Sequence, residues 1–123
     1  MANHSMPEYN PFSFCQIVKA CCNNDFTAQE KYVDKIHKES KLEKIRSLDI
    51  ADYDYCVIAF GHNDRSNGVK LGNPDSRNCD EFYGALNVSI EMLLNKYPHL
   101  RLILIAPYDR PSATPDKPML KYV

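Results

Sequence analysis

Two short, continuously apolar runs, YCVIAF at Tyr55–Phe60 and RLILIA at Arg101–Ala106, bracket one segment with a helical repeat. That order leaves few folds open. Between the runs, Phe82, Leu86, Ile90, Leu93 and Leu94 recur at the three- and four-residue spacing of an amphipathic helix. A strand, a helix and a second strand make a crossover long enough to set the strands parallel, and such crossovers are right-handed. Tyr55–Phe60 is short, continuously apolar and β-rich without alternation, so it is expected to be covered on both faces and central. Asn78 or Asp80 is expected to cap the helix and Tyr97-Pro98 to stop it. Pro107 ends the second run because proline cannot donate into a ladder.

Two helices are expected upstream. In NPFSFCQIVKACC, Asn10 is placed to cap and Pro11 to occupy the first turn, with Phe14, Ile17, Val18, Cys21 and Cys22 on one stripe. The sequence NND closes that helix. Thr27 and Glu30 then form a capping-box pattern opening a charged segment whose apolar positions are Val33, Ile36, Ile45 and Leu48, with a break near Ser40. The tail from Tyr108 onward is proline-rich and reads as irregular.

At 123 residues the chain fits one domain, residues 1–123, short for a complete α/β enzyme. Its formal charge of −1 and interleaved charges give no sign of a phosphate-backbone binder, so nucleic acid is not indicated. No apolar stretch nears the roughly 20 residues a bilayer crossing needs, and MANHSMPEYN lacks the pattern of an export signal. A cytoplasmic protein with no membrane partner is expected. Its five cysteines lack a Cys-x-x-Cys spacing, and Cys15, Cys22 and Cys56 fall on apolar stripes, so they read as reduced core thiols rather than disulfides or zinc ligands.

The first apolar run ends in Gly61-His62-Asn63-Asp64. In open parallel sheets, ligands bind beyond the carboxyl ends of the strands, where a turn delivers backbone N–H groups and short side chains. Gly61 permits tight geometry and Asn63 carries an amide donor. Neither is a nucleophile or strong base, yet both can donate to a developing oxyanion.

The stretch YDYCVIAFGHND, the loop after it, FYGALNVSIEMLLNKYPHLRLILIAP and a polar turn together resemble the third block of the SGNH (GDSL-type) hydrolases, from about Asp52 to Arg110. A fainter similarity covers Met1–Cys22, which is like the loop and helix after the family's second block. The resemblance implies a partial flavodoxin-like α/β sandwich, with a small parallel sheet flanked by helices. It further implies hydrolysis of esters, often acetyl or acyl groups on carbohydrates or lipids, with no cofactor and no metal. Carried over, Asn63 is the oxyanion asparagine, Gly61 the glycine that lets the turn form, and Asp64 the aspartate that shapes it. His62 occupies the variable position of the motif and Arg65 follows it. His62, Asp64 and Arg65 are therefore binding or shaping residues, not the base.

The family's Gly-Asp-Ser nucleophile block, expected upstream, and its Asp-x-x-His block, expected downstream, have no counterpart here, and neither has the second-block glycine, near Ala2 or Asn3. The expectation is an incomplete domain, inactive alone. Ser76 in NPDSR echoes the nucleophile but follows Asn63 and lies in a loop; Asp34 and His37 have the right spacing but fall on a charged helix; His4 and Ser5 lie at a terminus. His99 reads as a turn residue, and Asn67 and Asn73 as loop polarity. A parallel pair this small leaves the edge at Tyr55–Phe60 open, so a homo-oligomer or a protein partner is expected there. Two functions follow: part of an esterase acting on a small ester substrate, or a non-catalytic binding or inhibitory module derived from one, as in mobile-element proteins.

Overall fold

The computed structural model describes residues 10–36 and 39–106. Their elements are α1 (Phe14–Asn23), α2 (Thr27–Ile36), α3 (Glu39–Arg46), a 3-10 turn at Ile50–Asp52, β1 (Tyr55–Ile58), α4 (His62–Ser66), α5 (Phe82–Lys96) and β2 (Arg101–Leu104). Strands β1 and β2 pair in parallel, Val57 opposite Ile103, as the crossover requires. The ladder runs past both ends: Arg101 N–H donates to the Asp54 carbonyl and Ile105 N–H to the Ile58 carbonyl, each at 2.9 Å. The chain is thus a mixed α/β unit whose described sheet has two strands.

Local chemistry sets the helix ends differently from the motif pattern. Asn10 does not cap α1; its Oδ1 accepts from Phe12 N–H at 3.2 Å and its carbonyl from Ser13 N–H at 3.0 Å, which fixes a turn before the helix. At the other end Asn24 takes a left-handed conformation, φ 50°, and its N–H closes onto the last carbonyls, so NND does stop the helix. The Thr27–Glu30 capping box is not formed. Thr27 is already helical, and Asp25 accepts from both its N–H (3.1 Å) and its hydroxyl (2.7 Å), which holds the Asp25 carboxyl below its ordinary range. Glu30 instead reaches across to Arg46 of α3. Ser40, near the expected break, lies within α3, and the two residues between Ile36 and Glu39 are outside the described ones.

Asn78 and Asp80 do not cap α5 through their side chains. The first turn is satisfied by the incoming loop: Phe82 N–H donates to the Lys70 carbonyl at 2.9 Å and Tyr83 N–H to the Leu71 carbonyl at 3.0 Å. The loop lies so close that a Cβ on Gly84 would sit 1.9 Å from the Asn78 carbonyl oxygen. Glycine is needed there for space.

Cys15, Val18 and Cys22 of α1 and Phe82, Ala85 and Leu93 of α5 pack on Ile58 and Leu100, making the main core. The two helices run parallel to each other. Cys15 meets Cys79, just before α5, whereas Cys22 Sγ donates to the Met92 carbonyl near its other end at 3.8 Å. Behind α1, Phe12, Leu42 and Ile45 form a second cluster with Tyr32 and Val33, and Gln29 Nε2 donates to the Pro11 carbonyl.

Sequence reading overestimates the covering of the sheet. Helices α1 and α5 lie against the face carrying Cys56, Ile58 and Leu102. The alternate residues are open: Tyr55 and Val57 are each 56% exposed and Ile103 is 46% exposed. Both faces are apolar in sequence, so composition could not reveal that, among the described residues, only one is covered. The Arg101 guanidinium lies over the Tyr55 ring, 5.7 Å from its centroid, opposite it in register. Among the described residues no helix is long and apolar enough to cross a membrane.

Two outcomes follow. Alanine normally stabilises a helix over glycine by about 1 kcal/mol, but Gly84→Ala drives a Cβ into backbone, so a net loss of roughly 1–3 kcal/mol is expected in urea unfolding. Burial pushes the Cys15 thiol from 9.0 up to about 11 and raises Cys21, Cys22 and Cys56 as well. The folded state prefers the neutral thiols, so their contribution is full below pH 9.0 and is lost as pH rises to about 11. Under reducing conditions the urea midpoint should fall across that window, and the fall should be shallower in Cys15→Ala.

Candidate oxyanion corner

Strand β1 runs out at Ile58, two residues before the apolar run does, and Ala59 and Phe60 carry the chain off the sheet to Gly61. Phe60 stacks at 4.7 Å between centroids on Phe14, the first residue of α1, so the corner lies beside the start of that helix. Gly61 is buried with φ 119° and ψ −22°, a backbone region that L side chains rarely adopt. Its carbonyl accepts from Arg65 N–H at 3.1 Å, which begins the single turn of α4.

The four residues diverge from there. Asn63 is exposed, whereas Asp64 is only 1% exposed, and His62 and Arg65 are half-buried. Asn63 therefore lies at the surface beyond the carboxyl end of β1. Asp64 is buried in the interior. Its carbonyl accepts from Val69 N–H at 2.9 Å, tying the far side of α4 to a buried valine. Nδ1 of His62 is shielded from solvent, while Asn63 is exposed.

Asn67, read as loop polarity, instead closes α4, because both its backbone N–H (2.9 Å) and its Nδ2 (2.8 Å) donate to the Asn63 carbonyl. That clamp fixes the backbone of the residue whose side-chain amide is the candidate donor. Gly68, with φ 70°, then turns the chain away.

Ser76 is occupied elsewhere. Its hydroxyl donates to Glu81 Oε2 at 2.6 Å and accepts from Asn78 N–H at 3.2 Å, while Asn87 Nδ2 holds the Ser76 and Pro74 carbonyls. These bonds, with the Arg77–Glu91 ion pair, lash the loop to α5 and give Ser76 a packing role. His99 finds a partner invisible in sequence, the Tyr53 carbonyl, 3.1 Å from its Nε2. Asn73 is exposed and its carbonyl accepts from Ser76 N–H. His4, Ser5 and His37 lie outside the described residues, as do Ala2, Asn3 and the tail from Pro107, and the Asp34 side chain is not described.

Two features escaped sequence reading. Ser13 is fully buried at the start of α1, next to Phe14, and among the described residues its hydroxyl meets no hydrogen-bond partner. Nothing in its sequence context signals this. An apolar pocket of about 220 Å³ opens between α1 and the amino end of the sheet, lined by Ile17, Cys21, Leu48, Tyr53 and Cys56 among others. It lies at the end of β1 opposite Gly61. Among the described residues no group of three side chains could hold a metal ion. No family model matches the chain, and no curated protein and no solved structure matches it either.

Proposed function

We propose that Gly61–Asp64 is the oxyanion-stabilising corner of an SGNH-type ester hydrolase and that the α/β unit is part of that family's flavodoxin-like sandwich. One observation carries the reading: a buried, positive-φ Gly61 at the carboxyl end of a parallel strand sets an exposed Asn63 amide next to a buried Asp64. An amide in that place can donate to the oxygen of a tetrahedral intermediate formed from a small ester. It cannot attack the ester. In this reading a serine and a histidine from outside the 123 residues, in a longer chain or a second subunit, supply nucleophile and base. The odd number of thiols, with Cys15 and Cys22 buried, supports a reducing, cytoplasmic setting.

A second reading is favoured by the open sheet face. Tyr55, Val57, Ile103 and Ile105 expose apolar surface beside a strand edge that is unpaired among the described residues, which suits binding to a second copy or another protein. A truncated descendant of the hydrolase that inhibits or regulates a partner would use that surface and leave Asn63 idle.

Hydrolysis of p-nitrophenyl acetate separates the two, assayed on the 123-residue chain and on the full product of its reading frame. Wherever turnover is found, Asn63→Ala should lower kcat by ~10²–10³ with folding unchanged, as for loss of one oxyanion donor. Turnover indifferent to Asn63→Ala rejects the corner. For the second reading, light scattering at high micromolar concentration should show association that weakens in Val57→Lys. A stable monomer contradicts it.

A further inference from the structure

Cys15 on α1 and Cys79 in the turn before α5 are 64 residues apart in the chain, yet their sulfurs stand 3.4 Å apart. Lys19, one helical turn beyond Cys15, places Nζ 3.5 Å from the Cys79 sulfur. The two thiols are unequal. Cys15 is 2% exposed and packs in the main core, whereas Cys79 is half-buried and reachable from the surface. Cys79 lies in neither helix nor strand, so its side chain can rotate without disturbing a ladder. The other three thiols lack this arrangement. Cys22 donates to the Met92 carbonyl, and Cys21 and Cys56 line the apolar pocket.

We propose that Cys15 and Cys79 are a peroxide-responsive dithiol, Cys79 reacting first and Cys15 resolving it to a disulfide. A lone pair on the Cys79 sulfur, its proton released to solvent, attacks one oxygen of hydrogen peroxide. The O–O bond breaks, the departing hydroxide takes up a proton as water, and Cys79 becomes a sulfenic acid. Cys15 then attacks the Cys79 sulfur and its thiol proton leaves with the displaced hydroxide as a second water. Two thiols lose two electrons in total and the peroxide gains them. The sulfurs need only close from 3.4 Å to about 2.05 Å. Lys19 sets a positive charge 3.5 Å from the attacking sulfur, where it offsets the negative charge that develops on the departing oxygen. Oxidation would rivet α1 to the loop lashed onto α5, independently of whether the Asn63 corner is catalytic.

The reduced full chain, treated with equimolar hydrogen peroxide, alkylated and mapped by mass spectrometry, tests this directly. The expected product is about 2 Da lighter, links the Cys15 and Cys79 peptides, and reverts with dithiothreitol. Its Tm should rise by about 5 °C or more, as a closed loop of this length predicts. Cys15→Ser should leave Cys79 as a sulfenic acid trappable by dimedone, and Lys19→Gln should slow loss of the Cys79 thiol about threefold or more. Linkage through another cysteine, Cys15 and Cys79 both alkylatable after peroxide, or a Lys19→Gln rate equal to that of the native chain would each overturn the assignment.

Discussion

Burial of one apolar face of the β1–β2 pair under α1 and α5 organises everything else in the molecule. Ala85, with no exposed surface, allows α5 to approach closely, and Ile58 and Leu100 receive the side chains of both helices. Fully burying a side chain such as Ile58 or Leu93 is worth about 1.5–3 kcal/mol relative to leaving it exposed, and these contacts set the direction of the helices. Because α1 and α5 both start at the carboxyl end of the strands, their first turns, Gly61 and the loop to α5 gather at one end. The candidate chemistry follows from that packing.

Backbone hydrogen bonds then make the corner specific. The Gly61 carbonyl takes Arg65 N–H, the Asn63 carbonyl takes two donors from Asn67, and the Asp64 carbonyl takes Val69 N–H. Each bond contributes about 1 kcal/mol net, but together they leave α4 a single short turn with one residue, Asn63, outward and the next, Asp64, inward. For the proposed oxyanion role, a donor held by its own backbone needs little reorganisation when charge develops.

Much of this was legible in the sequence. The helical spacing of Phe82, Leu86, Ile90 and Leu93 between two apolar runs specified the parallel pairing, and Gly61 announced the turn. The helix caps were not legible, because Asn10, Thr27 and Asn78 had the right chemistry while the bonds went to Phe12 N–H, Asp25 and the Lys70 carbonyl; such choices depend on which backbone passes nearby. The open face was hidden for a different reason: Val57 and Ile103 are as apolar as Cys56 and Ile58, so the pattern could not show which side the helices take. The approach of Cys15 to Cys79 is purely tertiary. Resemblance to the hydrolase motif pointed to Asn63, but only the folded chain puts its side chain at the surface and Asp64 in the interior.

All of these positions depend on β1 and β2 lying parallel in the observed register. Nuclear magnetic resonance of the uniformly labelled chain tests this most directly. The structure predicts slowly exchanging N–H groups at Arg101 and Ile105, bonded to the Asp54 and Ile58 carbonyls, together with cross-strand proton contacts between Val57 and Ile103. Rapid exchange at both amides, or contacts that pair Tyr55 with Leu104 in the antiparallel sense, would contradict the fold and with it the placement of the Gly61–Asp64 corner.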